Sequence, residues 1–215
     1  MSGQRSIRAF AGLCLAGFLA VGCSQTEEQR AAAERAESSG FRGVALPEPV
    51  PAPDFSLRDT DGAEFHFREE TAGQLTLLFF GYTNCPDICP VHMANLGAVL
   101  GDLDYAQRRR VKVLFVTTDP ERDTPEQLRS WLDRIDHTFI GLIGDPDKVN
   151  EIQRSFNLPP AVRQATEGGE YTVGHASQVL AITPDGLVRV VYPAGTRQGD
   201  WAHDLPRLLA IPADG

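Results

Sequence analysis

Residues 75–80 read Leu-Thr-Leu-Leu-Phe-Phe. A strand with one face in water alternates apolar and polar residues. A nearly unbroken apolar run instead marks a strand buried on both faces. Such a strand needs helices packed above and below it, so the run predicts an α/β architecture. The flanking pattern agrees. Leu96, Val99, Leu100 and Leu103 recur at helical spacing after it, and Val111–Val116 is a second apolar strand. Asp123-Thr-Pro-Glu-Gln then opens a helix whose apolar face carries Trp131, Leu132 and Ile135, with a capping residue and proline in the first turn. Residues 139–143 predict a short strand, and Asp145-Pro-Asp starts a helix running to about Phe156.

Two hairpins bracket this core. Residues 55–59 and 63–67 alternate around Asp61-Gly62, and residues 178–183 and 188–192 flank Pro184-Asp185-Gly186. A closing helix is expected over residues 200–209. The order predicts a mixed central sheet with helices on both faces. It matches a thioredoxin-like fold with an N-terminal β-hairpin extension, and the pattern alone does not separate this from a flavodoxin-like arrangement.

The ends of the chain have a different composition. Residues 1–22 carry Arg5 and Arg8, no acid, and an apolar run from about Ala9 to Val21. A basic start, a short apolar run and a small-residue exit form an export signal. The run is shorter than the roughly 20 residues that span a bilayer. Leu19-Ala-Val-Gly-Cys23 resembles the lipobox of bacterial lipoproteins, departing from it at Ala20, where leucine is usual. It implies lipidation at Cys23 and removal of Cys14 with the signal. An uncleaved anchor and a conventional signal peptide are the alternatives.

Residues 24–40 hold Glu, Gln, Ala and Ser with no large apolar side chain, as a tether does. Residues 46–53, Leu-Pro-Glu-Pro-Val-Pro-Ala-Pro, predict a stiff extended spacer. The expected organisation is thus a signal over 1–22, a lipidated N-terminus and linker over 23–52, and one domain over 53–211. The full chain is acidic, at −9, and loss of the signal removes two arginines and no acid, giving −11. That balance argues against nucleic-acid binding. The mean hydropathy of −0.21 excludes a polytopic membrane protein.

Cys85 and Cys89 lie in Gly81-Tyr-Thr-Asn-Cys-Pro-Asp-Ile-Cys-Pro90, between the buried strand and its helix. Strand ends are where α/β proteins build sites. On one helical turn the four-residue spacing puts both sulfurs on one side, and a helix N-terminus favours thiolate. A disulfide across so short a loop would stabilise the fold little, which disfavours a purely structural bridge. Two thiolates suit Cu(I) or zinc, but a closed zinc site needs four ligands.

Of the five histidines, His66 and His203 are expected at the surface, and His137 as a helix-end residue. His175 sits in a polar loop feeding the apolar strand Val179–Ile182. Spacing alone leaves it as either a backbone-bonded loop histidine or a third ligand. His92, three residues after Cys89, is either a solvated helix histidine or a substitute or fourth ligand, and Met93 offers a thioether.

The stretches FFGYTNCPDICP, VTTDPERDTPEQL and YTVGHASQVLAITPDG together resemble the Sco/SenC family, copper-binding proteins that help assemble cytochrome c oxidase. The resemblance covers about residues 53–210. It implies a thioredoxin-like domain binding one copper ion, Cu(I) or Cu(II), through Cys85, Cys89 and His175. It also implies a lipid-anchored location on a bacterial membrane, with the domain in the periplasm. The implied partner is the copper-bearing subunit of the oxidase, with other periplasmic copper chaperones or thiol reductases beside it. The role would be copper delivery to the dinuclear centre, or reduction of that centre's cysteines.

Asp119 matches a recurrent family aspartate that would steer the copper loop or a partner, or else cap a turn. The chain departs from the family at Gly174, where aspartate is usual before the histidine, and at Ala176, where Ser or Thr is usual. Rival functions are a thiol–disulfide oxidoreductase using Cys85 and Cys89, a peroxiredoxin-type peroxidase, and a metal-free interaction module. The four-residue cysteine spacing and the lack of proline in residues 171–183 favour metal over general redox work. Enzyme activity beyond a secondary thiol reductase is not expected.

Overall fold

The computed structural model describes residues 39–166 and 169–214. The expected export signal, Cys23 and most of the expected tether lie outside them. The fold is a single eight-stranded mixed sheet with helices on both faces. Its strands are β1 (Val44–Pro51), β2 (Ser56–Asp59), β3 (Glu64–His66), β4 (Leu75–Gly81), β5 (Val111–Thr117), β6 (Ile140–Ile143), β9 (Val179–Ile182) and β10 (Leu187–Tyr192). They stand in the order β1-β10-β9-β4-β5-β6-β2-β3. The parallel set is β4, β5 and β6, and every other pairing is antiparallel. A separate two-stranded hairpin joins β7 (Val162–Ala165) to β8 (Tyr171–Gly174).

The helices are α1 (Phe67–Thr71), α2 (Ile88–Asp102), α3 (Tyr105–Arg108), α4 (Pro125–Asp133), α5 (Pro146–Ser155) and α6 (Gln198–Leu209). Every residue of β4 is buried. Its side chains alternate between two apolar layers, as strand geometry requires. Leu75, Leu77 and Phe79 meet Met93, Leu96, Leu128, Trp131, Trp201 and Leu205 from α2, α4 and α6. Leu78 and Phe80 meet Val149 and Ile152 of α5 together with Phe55 and Phe67. Each such side chain contributes roughly 1.5–3 kcal/mol on burial. The unbroken apolar run therefore has the two-faced burial expected of it, and the architecture is thioredoxin-like.

The Pro-rich stretch is not a spacer. Residues 44–51 form an edge strand, antiparallel to β10, with Val44 opposite Val191 and Pro51 opposite Leu187. Ala52 donates its N–H to Gly186 at 2.9 Å, so even-numbered positions there face β10. Pro51 has the opposite parity and turns its missing N–H toward the open edge, and Pro47 and Pro49 fall where the register with β10 shifts between Ala45 and Val50; edges and bulges are where a strand tolerates proline. The domain begins earlier still. Asp204 of α6, fully buried, accepts the N–H groups of Arg42 (2.9 Å) and Gly43 (2.9 Å), the Tyr192 hydroxyl (2.9 Å) and His203 Nδ1 (2.7 Å). The expected boundary at residue 53 is thus too late by about ten residues.

Candidate metal centre

Cys85 and Cys89 are where β4 passes into α2, but they do not share a helical turn. Cys89 is the second residue of α2, and Cys85 lies in the loop before it. The N-cap residue Asp87 makes no side-chain cap. The Cys85 sulfur instead receives the backbone N–H groups of Asp87 and Cys89, filling the role of a capping oxygen. These bonds, and a bond from the Cys89 thiol above all, hold the Cys85 thiol down at about 3. Burial pushes Cys89 the other way. The pair therefore carries one proton, on Cys89, and one thiolate, on Cys85.

His175 completes the group. Its Nε2 is 3.5 Å from the Cys89 sulfur. Its Nδ1 lies 2.8 Å from the Ala176 carbonyl oxygen and so bears the proton, leaving the Nε2 lone pair facing the sulfurs. The ring packs edge-on against Phe79 and Tyr82, at 5.8 and 5.6 Å between centroids. The donor atoms of Cys85, Cys89 and His175 all lie within 4.8 Å of one another. Among the described residues no fourth Cys, His, Asp or Glu joins them. Two sulfurs and one imidazole, one of the sulfurs already ionised, fit a soft ion of low coordination number such as Cu(I). They do not close a four-ligand zinc site.

Two neighbours explain the loop's shape. A Cβ on Gly81 would stand 2.8 Å from the Cys89 sulfur and 2.6 Å from the Phe79 ring, so only glycine lets the sulfur sit over the strand. Asp123 is fully buried. It accepts from the Thr83 backbone N–H (3.0 Å), the Thr83 hydroxyl (2.6 Å) and the Thr117 hydroxyl (2.7 Å). It thereby ties the cysteine loop to the end of β5. The sequence places a capping residue in the stretch that begins at Asp123. The cap is Thr124, which accepts from the Gln127 N–H at 3.3 Å. The aspartate four residues after Asp119, just past a strand end, was the available clue.

Asp119 is also fully buried, and it lies outside the donor group. It pairs with Arg122, accepts the Tyr171 hydroxyl at 2.9 Å, and lies 3.6 Å from Arg163. The Arg122 guanidinium stacks 3.8 Å from the Tyr171 ring centre and donates to the Tyr171 carbonyl at 3.0 Å. Asp119 thus fastens β8, four residues ahead of His175. That segment, expected as a polar loop, is the β7–β8 hairpin.

His92 is neither solvated nor in the donor group. It is 1% exposed, and its Nε2 lies 3.0 Å from the Ser177 carbonyl. Met93 is wholly within the core. His66 is exposed and His203 is half-buried against Asp204. His137 is exposed, three residues past the Arg134 C-cap of α4, and caps nothing there.

The comparisons agree with this geometry. A putative copper-binding protein of Stutzerimonas stutzeri is 32% identical over 166 residues, 77% of this chain and 80% of the relative. Protein SCO1 of Saccharomyces cerevisiae mitochondria is 32% identical over 191 residues. That match takes in 85% of this chain but only 63% of the yeast protein's length. The copper-bound structure of Bradyrhizobium japonicum ScoI is 31% identical and superposes with a TM-score of 0.66, covering 74% of this chain and all of that one. The SCO1/SenC family profile matches residues 46–210, from the Pro-rich edge strand through the cysteine pair and His175 to the last helix, and the chain belongs to that family.

Proposed function

We propose that this chain binds one copper ion through Cys85, Cys89 and His175. We further propose that it serves the dinuclear copper centre of cytochrome c oxidase, by delivering copper or by keeping that centre's cysteines reduced. The observation that carries the copper reading is the donor group itself, with the Cys85 thiolate formed and the His175 lone pair turned inward. Cys85 and Cys89 supply soft anionic donors, and the imidazole orients through its Nδ1–H bond to Ala176. Copper bound there would be held for transfer or for one-electron chemistry. In this reading residues 1–22 are an export signal, Cys23 is lipidated, and the domain works in the periplasm beside the oxidase subunit and periplasmic copper or thiol partners. The signal and lipobox pattern support that location.

Competition titration of the reduced domain with Cu(I), repeated on His175→Ala, tests the site. One equivalent bound tightly, with affinity falling at least about tenfold in the variant, is expected. Equal affinity in both would remove His175 from the set.

A second reading, thiol–disulfide exchange on a specific client, draws on the split between the two thiols. Cys85 thiolate would attack the client disulfide and release one client thiolate. Cys89 would then displace the second thiolate and close the Cys85–Cys89 bond. Two electrons pass to the client. Client reduction by copper-free protein, lost in Cys89→Ser, distinguishes it.

A further inference from the structure

His92 is a polar residue in an apolar place. A histidine at 1% exposure gives up most of its hydration, and an apolar side chain at that place would cost less. Burial accordingly lowers its basicity. What it gains is one hydrogen bond, from Nε2–H to the Ser177 carbonyl at 3.0 Å. A nitrogen at that distance from a carbonyl oxygen must carry the proton, so Nδ1 is bare, and it is buried with no protein partner.

The bond lands on residues 175–178, which belong to no strand or helix. This turn carries His175. Residue 174 is an exposed glycine and residue 176 a buried alanine, so neither flank brings a polar side chain to fix the imidazole. Among the described residues, besides the approach of the Cys89 sulfur to His175 Nε2, the turn has two side-chain hydrogen bonds: that of His175 to its own neighbour and that of His92 to Ser177. His92 stands on α2 three residues after Cys89, on the same side of the helix. The Phe79 ring contacts both histidines, at 5.5 Å to His92 and 5.8 Å to His175.

We infer that His92 is a positioning residue for the metal centre, clamping the His175 turn to the helix that carries Cys89. One rigid element then sets both ends of the 3.5 Å approach between the Cys89 sulfur and His175 Nε2. The ligand distance is preset before the ion arrives. This inference rests on the copper reading of the site, but its first consequence concerns the metal-free protein.

The test compares His92→Gln with His92→Met in the reduced domain. The two replacements are similar in length, and only glutamine keeps an N–H donor. His92→Met is expected to expose the Ser177 and Gln178 amides to faster hydrogen exchange. It should also move the His175 ring-nitrogen chemical shifts toward a mixture of tautomers, and lower Cu(I) affinity about tenfold or more. His92→Gln should restore most of each. Thermal unfolding of both metal-free variants checks that the fold is kept.

Three results would overturn the inference. In one, His92→Met leaves the His175 shifts and the copper affinity unchanged. In another, both variants lose affinity equally, because then packing and not the hydrogen bond matters. In the third, the amides respond while the His175 shifts do not. If wild-type protein binds no copper but His175 still loses its single tautomer in His92→Met, the positioning stands and the copper reading falls.

Discussion

At the residue scale, the two thiols are chemically unlike because one end of a helix treats them differently. Cys85 sits outside α2 and collects its free N–H groups, while Cys89 sits inside and is sealed from water. Gly81 sets how close Cys89 comes to the strand. Gly81→Ala would place a methyl 2.8 Å from that sulfur and 2.6 Å from the rigid Phe79 ring. The variant should lose about 1–3 kcal/mol to overpacking and bind copper more weakly. Urea unfolding and Cu(I) competition on one preparation check both; unchanged values would mean that the sulfur has room to move. Cys85 and Cys89 were legible from residue type and place, since a buried strand running into a helix advertises a site. Asp123 and His92 were not. Their roles depend on which way each side chain turns, and a polar residue in sequence does not declare its own burial.

At the element scale, the same limit appears in β1. Prolines at alternate positions signal an extended chain, and the sequence cannot tell a free extended spacer from an edge strand that takes its prolines at a register shift and on its open side. Pairing with β10, more than 130 residues away in sequence, decides it. The β7–β8 hairpin went unread because Val162–Ala165 is exposed throughout and lacks a strand's apolar alternation. Asp119, Arg122 and Tyr171 hold it instead. The central strands and long helices, whose patterns arise from burial against the core, were legible. The N-terminal edge depends on Asp204. Asp204→Ala would strand the buried Gly43 N–H and Tyr192 hydroxyl and free the Arg42 N–H. A loss of about 2–4 kcal/mol is expected, with early hydrogen exchange and proteolysis confined to residues 39–51. Uniform loosening of the whole sheet would contradict a local latch.

For the whole molecule, the thiol pair makes the stability of the reduced, metal-free protein depend on pH with a definite sign. Cys85 is depressed from an ordinary 9.0 to about 3. Between those values the unfolded chain holds a proton that the folded chain does not. Stability therefore rises with pH across this window, is complete above 9, and is lost as pH falls toward 3. Cys89 is raised. Its contribution is complete below 9 and disappears above, where the unfolded chain gives up a proton that the folded one keeps. Together the two groups place a stability maximum near pH 9. Cys85→Ser removes the rising limb and the bond from the Cys89 thiol to a thiolate. The stability difference between wild type and Cys85→Ser, measured by urea unfolding from pH 7 to 9, should therefore grow with pH. The acidic surface is common to both proteins and cancels in that difference. A flat difference would mean that the Cys85 thiol is not depressed, and the capping role given to its sulfur would fall with it.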